Sequence, residues 1–399
     1  MRYLILGAGP GGITLANILK RKNKSFILLE KEMDAGGLCR SRMVDGYPLD
    51  IGGGHFLDAG NRQVVEFLFE FLPEQEWNFF ERDSQIYVNG EYVSHPLEAN
   101  IWQFPEKVQQ EYLASIKNAG CNRNEPMPQL FVDWIYWKLG NKIAEDYMIP
   151  YNKKMFADNL NELGTYWLEK LPNVSYEETL RSCKEKKAYG KQPGHATFYY
   201  PKRYGYGEVW HRMADEVKDH VCYGKKVEML DMTTKSVVTS DGEHFDADMI
   251  VNTVPWTSFS LDRTSARALQ SSVDKLKHTS VEIRYFAGSK DSDAHWIYYP
   301  QEELPYHRCL LRSNFAIGSR GYWTETRTER IKLFREETMF SYINEFAYPL
   351  NTVAKEQAMR KILKYAASKG IYGLGRWGEH RHYNSDVVVG KALKMGSII

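Results

Sequence analysis

The first twelve residues constrain this chain more than any other stretch. A short apolar segment, Arg2-Tyr3-Leu4-Ile5-Leu6, runs directly into Gly7-Ala8-Gly9-Pro10-Gly11-Gly12. The apolar run predicts a buried strand, and the glycines fall in the G-x-G-x-x-G spacing of a phosphate cradle. Gly7 permits the tight turn, Gly9 lets backbone approach a pyrophosphate, and Gly12 allows close packing of a helix predicted over 11–21. Such a helix turns free N–H groups and the positive end of its dipole toward phosphates. Glycine turns between strand and helix also serve packing alone, so the next strand matters. Residues 25–29 end in Glu30, placed to accept hydrogen bonds from a ribose.

Two further glycine clusters decide between dinucleotides. Gly36-Gly37-Leu38-Cys39-Arg40-Ser41 follows Glu30 closely, and Asp50-Ile51-Gly52-Gly53-Gly54-His55 lies in the same half-domain. An NAD dehydrogenase has no need of either. The first resembles a segment of glutathione-reductase-like and amine-oxidase-like flavoproteins that lets backbone pass close to FAD, with Arg40 and Ser41 beside it. The second reads by itself as a surface turn with a solvated histidine. Three clusters on one cofactor-sized stretch make FAD the better explanation.

Composition sets outer limits. A chain of 399 residues can bury a large core and hold more than one lobe. Its formal net charge of +1 gives no bulk attraction for nucleic acid or a membrane surface, so phosphate recognition must be local. Aromatic residues make up 14% of the chain, enough to stack on flat or sugar-like ligands as well as fill a core. The five cysteines, Cys39, Cys121, Cys183, Cys222 and Cys309, are scattered without a C-x-x-C pair, which argues against a disulfide scaffold or metal site and for a reducing, cytoplasmic setting. No apolar segment is long enough to span a bilayer, and no convincing signal-peptide cleavage site follows the N-terminal stretch. The oligomeric state stays open, a homodimer being one option.

The pattern predicts an α/β fold: a Rossmann-like FAD-binding domain in discontinuous segments, an inserted helical lobe, and a second, substrate-facing antiparallel sheet. The segments are 1–104 (FAD, N-terminal part), 105–180 (helical insertion), 181–260 (FAD, middle part), 261–350 (substrate-side sheet) and 351–399 (FAD, C-terminal part). A short helix is expected over 64–72 and a hairpin over 84–93 around Asn89-Gly90. The charged stretch 184–192 reads as a mobile connection. A second hairpin turns at Asp241-Gly242, 249–254 returns to the nucleotide sheet as a buried strand, 281–286 and 296–299 are strands, and 387–393 is a closing helix.

Later motifs carry a more specific resemblance. Gly375-Arg376-Trp377-Gly378-Glu379-His380-Arg381-His382-Tyr383-Asn384, Leu304-Pro305-Tyr306-His307-Arg308, Ala196-Thr197-Phe198-Tyr199-Tyr200-Pro201, Pro150-Tyr151-Asn152-Lys153-Lys154-Met155-Phe156 and His95-Pro96-Leu97-Glu98-Ala99-Asn100-Ile101 share order and spacing with the UDP-galactopyranose mutase family, which the chain resembles over most of its length. The resemblance implies FAD held by Gly7, Gly9, Gly12, Glu30, Gly37, Leu38, Arg40, Gly54, His55, Val227, Gly375, Arg376, Tyr383 and Asn384. It implies a nucleotide-sugar met by Tyr147, Tyr151, Asn152, Phe156, Lys170, Tyr199, Arg308, Tyr348, His382 and Tyr383, with His55 and Arg308 nearest the chemistry.

The implied reaction interconverts pyranose and furanose forms of a nucleotide-sugar, as in polysaccharide biosynthesis. Reduced flavin attacks the anomeric carbon through N5 and forms a covalent flavin-sugar intermediate, so NAD(P)H or another reductant is needed and no protein nucleophile is. Arg308 supplies the planar fork that suits a diphosphate, although a lone arginine also serves in surface salt bridges. Tyr147 and Tyr151, at i and i+4, face either a nucleobase or the core. Phe156, Lys170 and His382 depart from the family pattern on the substrate side, which leaves room for a different sugar nucleotide. An amine or protoporphyrinogen oxidase of the same superfamily and a non-catalytic flavin-binding protein are the competing readings.

Overall fold

The continuous apolar run at residues 2–6 becomes the middle of a five-stranded parallel sheet, where both faces are covered and alternation is not needed. In the computed structural model, which describes residues 1–168, 171–191, 194–334 and 337–399, the strand order is Val221–Cys222, Ser25–Leu29, Arg2–Leu6, Met249–Asn252, Ile371–Gly373. All four pairings are parallel. Leu4, Ile5 and Leu6 are essentially inaccessible. The helix Pro10–Arg21 starts on proline with Gly9 extended before it and no side-chain cap, so its first N–H groups are left for a ligand or solvent. The last helix, Ser385–Ile398, packs along it: a Cβ on Gly396 would lie 2.6 Å from Ile18, and one on Gly11 3.0 Å from Val388.

A seven-stranded sheet stands beside this domain in the order Phe340–Pro349, His278–Phe286, Tyr322–Arg327, Arg308–Leu311, Trp296–Tyr298, Ser84–Val88, Glu91–Ser94. It is antiparallel except where Trp296–Tyr298 runs parallel to Ser84–Val88. The expected hairpin at Asn89-Gly90 is present, with φ of 55° and 81° at its two central residues, the left-handed pair that suits strand twist. By hydrogen bonding this hairpin joins the sheet of residues 278–349 and not the parallel one. One core cluster reaches from Ile5 and Ile13 through Phe56 to Trp296 and Trp323, so the two sheets share an interior.

The helical block has its own core around Tyr112, Phe131, Ile135 and Ile143. Its helix Phe131–Ile143 is interrupted at Gly140, where φ is 74° and an added Cβ would sit 2.4 Å from the Ser115 carbonyl oxygen. A π-turn over Ala144–Met148 follows and leads into Ile149–Met155. The hairpin at Asp241-Gly242 joins Ser236–Thr239 to His244–Asp246. The expected short helix is Arg62–Phe69, and the closing helix is longer than its apolar pattern indicates.

One expectation needs correction. Lys184 and Glu185 are not part of a connection but the last turn of the helix Tyr176–Glu185, which opens with a capping box between Ser175 and Glu178. Lys191 pairs back to Asn173 as an isolated bridge, and Gln192 lies outside the described residues. The charge in this stretch belongs to the solvated face of a capped helix. Among the described residues no helix is long and apolar enough to cross a membrane.

Candidate active site

Two adjoining cavities, about 520 and 580 Å³, share His55, Arg376 and Ser385 in their walls. The first follows the glycine clusters. Gly7 and Gly9 form its floor at the start of the first helix, and Glu30, Gly37, Leu38 and Arg40 continue the wall. Val227, Gly375, Arg376 and Tyr383 close it from the middle and the end of the sequence. Gly9 and Gly37 face one another so closely that a Cβ on Gly37 would come within 3.1 Å of the Gly9 Cα. Gly12 lies underneath, where a Cβ would meet the Gly7 carbonyl oxygen at 2.0 Å, the packing role its position predicts.

The Glu30 carboxylate accepts the N–H of Ala8 at 2.7 Å and that of Glu32 at 2.9 Å, which fixes it at the strand end with lone pairs to spare for hydroxyls. Burial raises its pKa, and those two N–H donors oppose the shift. Ser41 does not line this cavity. Its hydroxyl donates to Asp50 at 2.5 Å and accepts from the Gly207 N–H, so it braces a turn behind the site.

Arg376 spends its guanidinium on the chain itself, donating to the Tyr383 carbonyl from Nε and Nη2 and to the Ala347 carbonyl from Nη1. It is a strut between the cavities. His55 stands opposite with Nδ1 3.1 Å from the Gly53 carbonyl oxygen. Burial and the charge of Arg376 push its pKa down to about 3, so the ring is neutral and Nδ1 carries the proton toward that carbonyl. Gly54 and Asn384 border the second cavity and not the first.

The second cavity gathers Tyr147, Tyr151, Asn152, Phe156, Arg308, Tyr348 and His382. The break at Gly140 and the π-turn bring Tyr147 and Tyr151 onto one side, their rings 5.5 Å apart. Lys154, 1% exposed, donates to the carbonyls of Tyr299 and Gln301 at 2.7 Å each and pins that helix to the sheet. His382 and Phe156 lie against Tyr348 and each other at 4.8–6.3 Å between ring centres.

Arg308 and Glu325, adjacent in register on neighbouring strands, form the charged centre of this cavity. Nη2 of Arg308 lies 2.7 Å from both carboxylate oxygens and Nε 3.0 Å from one. Glu325, with no exposure, also accepts the Gly54 N–H at 2.8 Å, and the Tyr348 hydroxyl lies 3.4 Å away. Although burial opposes ionisation, the Arg308 and His307 neighbours hold this carboxyl far below the usual range. Nη1 of Arg308 has no partner among the described residues.

Sequence reasoning missed Glu325, because nothing in Tyr322–Arg327 reveals what faces it until strand register is known. It also missed Arg82, whose guanidinium sits 4.9 Å over the Trp296 ring and donates to the Tyr298 hydroxyl and the Gly194 carbonyl. Glu98, inside the quoted His95–Ile101 motif, lines the cavity too.

Two substrate expectations are corrected. Tyr199 lines neither cavity, because strand pairing with Trp77–Glu81 turns its ring toward Phe69 and Phe79, at 5.2 Å each. Tyr383 borders only the first cavity, where its hydroxyl donates to Glu379 at 3.1 Å. Lys170 lies outside the described residues.

No cluster of three or more metal-ligating side chains occurs among the described residues. Burial keeps the thiols of Cys39 and Cys309 protonated, the latter pushed up to about 12. The arrangement therefore offers a dinucleotide cleft, in whose wall the Cys39 thiol stays protonated, opening beside a chamber of fixed cations and phenols.

Comparisons with known proteins agree with this architecture. Residues 5–71 match the model of an NAD(P)-binding Rossmann-like domain. A UDP-galactopyranose mutase of Mycoplasma pneumoniae is 34% identical over 72 residues, 18% of each chain. The chain spans between 14% and 50% of the length of the curated relatives it matches. Among solved structures, a reduced UDP-galactopyranose mutase superposes with a TM-score of 0.86 at 23% identity, covering 99% of this chain and 93% of that one. A protein described as a putative protoporphyrinogen oxidase from Exiguobacterium superposes at 0.69 with 14% identity, covering 100% and 98%. The chain thus has the UDP-galactopyranose mutase-like fold, within an architecture that also hosts oxidases.

Proposed function

We propose that the chain binds FAD along the first cavity and a nucleoside-diphosphate sugar in the second, and interconverts the pyranose and furanose forms of that sugar. The observation that carries the reading is the Arg308 guanidinium, held on Glu325 by two nitrogens with Nη1 unpartnered among the described residues, beside Tyr348 and next to the His55–Arg376 wall common to both cavities. The first cavity suits FAD: an uncapped helix start for phosphates, Glu30 for a ribose, and a Gly9–Gly37 approach in which a Cβ on Gly37 would crowd the Gly9 backbone. Cavities of this size are typical of cofactor and substrate sites.

When bound and reduced, the flavin supplies a nucleophile for the sugar's anomeric carbon. The chain's own residues bind, orient and exclude water. As a diphosphate separates from a sugar its charge grows, and Arg308 with the Tyr348 phenol supplies donors for it in a dry site, where they act most strongly. Glu325 keeps the fork from swinging away, so little reorganisation is needed. Phe156 and Trp167 shut water from that end. Neutral His55 leaves Nε2 as an acceptor for a sugar hydroxyl.

The test is incubation of dithionite-reduced protein with UDP-, GDP- and dTDP-sugars, with pyranose and furanose forms separated by chromatography. Conversion of at least one sugar nucleotide, absent in the oxidised protein, is expected. No conversion across the panel together with rapid oxygen consumption on an amine would replace this reading with an oxidase, which has no use for a diphosphate-binding arginine.

A further inference from the structure

Glu98 lines the second cavity at 8% exposure, and its carboxylate has no hydrogen-bond partner among the described residues beyond its own backbone N–H. Two other acids of the cavity differ. Glu325 is committed to Arg308, and Asp58 accepts the N–H groups of Gly60 and His195. Burial among Trp134, Leu139 and Tyr147 raises its pKa, opposed by its own N–H and the Lys138 charge, so its ionised form costs free energy unless water or a ligand brings further donors.

Its place along the cavity follows from its neighbours. Tyr147 feels the charge of Glu98, and its ring lies tilted 5.5 Å from that of Tyr151, which in turn feels Arg308. All four line the one cavity, Glu98 nearest Tyr147 and Arg308 nearest Tyr151. On the reading proposed above, on which this inference rests, a diphosphate at Arg308 puts the nucleobase between the tyrosines and Glu98.

We propose that Glu98 selects the base and that the base is guanine, making the substrate a guanosine-diphosphate sugar. An ionised carboxylate only accepts hydrogen bonds. Guanine alone offers two adjacent donors, N1–H and the N2 amino group, to its two oxygens. Uracil and thymine flank their single N3–H with carbonyl oxygens, while cytosine and adenine set a ring-nitrogen lone pair beside the amino group. Each of these turns an acceptor against the second carboxylate oxygen. Two charge-assisted donors from guanine also favour the ionised form that receives them.

Calorimetric titration of GDP, UDP and inosine diphosphate into the flavin-loaded protein tests this. GDP is expected to bind about tenfold or more tighter than UDP, and inosine diphosphate, which lacks the N2 amino group, about tenfold weaker than GDP. Glu98→Gln, whose amide supplies one donor and one acceptor, is expected to erase or reverse the preference for GDP over UDP. UDP binding as tightly as GDP, inosine diphosphate binding as tightly as GDP, or an unchanged preference in a folded Glu98→Gln protein each overturns the proposal while leaving the diphosphate site standing. Failure of every nucleotide to bind, with flavin retained, overturns the nucleoside-diphosphate reading itself.

Discussion

At Arg308 the guanidinium has two tasks, holding Glu325 through Nε and Nη2 while Nη1 stays without a partner among the described residues, in a side chain that lines the cavity. The division makes different substitutions separable. Arg308→Ala removes the arginine that forks onto a carboxylate with no exposure, and such a loss costs about 3–5 kcal/mol of stability. Arg308→Lys keeps the charge on Glu325 but loses the fork. It is therefore expected to retain flavin and most of its thermal stability while nucleoside-diphosphate affinity falls roughly 10- to 100-fold. Titration with a nucleoside diphosphate and a melting curve on the same sample check both halves. Loss of flavin with unchanged nucleotide affinity would show that Arg308 serves the other cavity.

Among the elements, the glycine turn after the first strand invites a paired prediction. A Cβ on Gly9 meets nothing nearer than the Gly37 Cα at 4.0 Å, whereas one on Gly12 meets a backbone oxygen at 2.0 Å. Gly9→Ala should melt within a few degrees of the native protein yet lose FAD affinity by about tenfold or more, because the methyl group occupies space a phosphate needs. Gly12→Ala should lose stability first, by about 1–3 kcal/mol, through overpacking. Flavin absorbance after dialysis and thermal melts distinguish them.

The same elements explain what was legible in the sequence. Leu4-Ile5-Leu6 and Ile250-Val251 announce their strands because buried parallel strands need unbroken apolar runs. Tyr199 was misplaced because four of the five residues Thr197–Pro201 are aromatic or proline, so composition gives no parity. Only pairing with Trp77–Glu81 decides which face looks inward. Glu325 was invisible because its partner lies 17 residues away across a strand pair. The helix at 176–185 is legible from Ser175 and Glu178 at capping-box spacing, while the lysines at its end and beyond it carry the composition of a solvated connection.

On the scale of the whole molecule, both cavities are walled by distant parts of the chain, and the last helix borders both, closing the first against the first helix. Val389 and Ala392 of that helix are fully buried. Deleting residues 385–399 is expected to cost at least about 3 kcal/mol and to abolish flavin retention even with excess FAD during refolding, as absorbance and melting curves would register. Normal flavin content in the truncated protein would show that the helix is dispensable to the site.

The parallel sheet has a consequence in time as well as space. Arg2–Leu6 leaves the ribosome about 250 residues before Met249–Asn252, the neighbour that completes one of its sides. At translation rates of roughly 5–20 residues per second that edge waits some ten to fifty seconds, apolar and unpaired. In this interval it can accept a strand from any other nascent chain. Aggregation of half-made protein during synthesis is therefore the natural failure of this design, and slower initiation or a chaperone on the nascent chain, rather than any change to the finished fold, is its natural remedy.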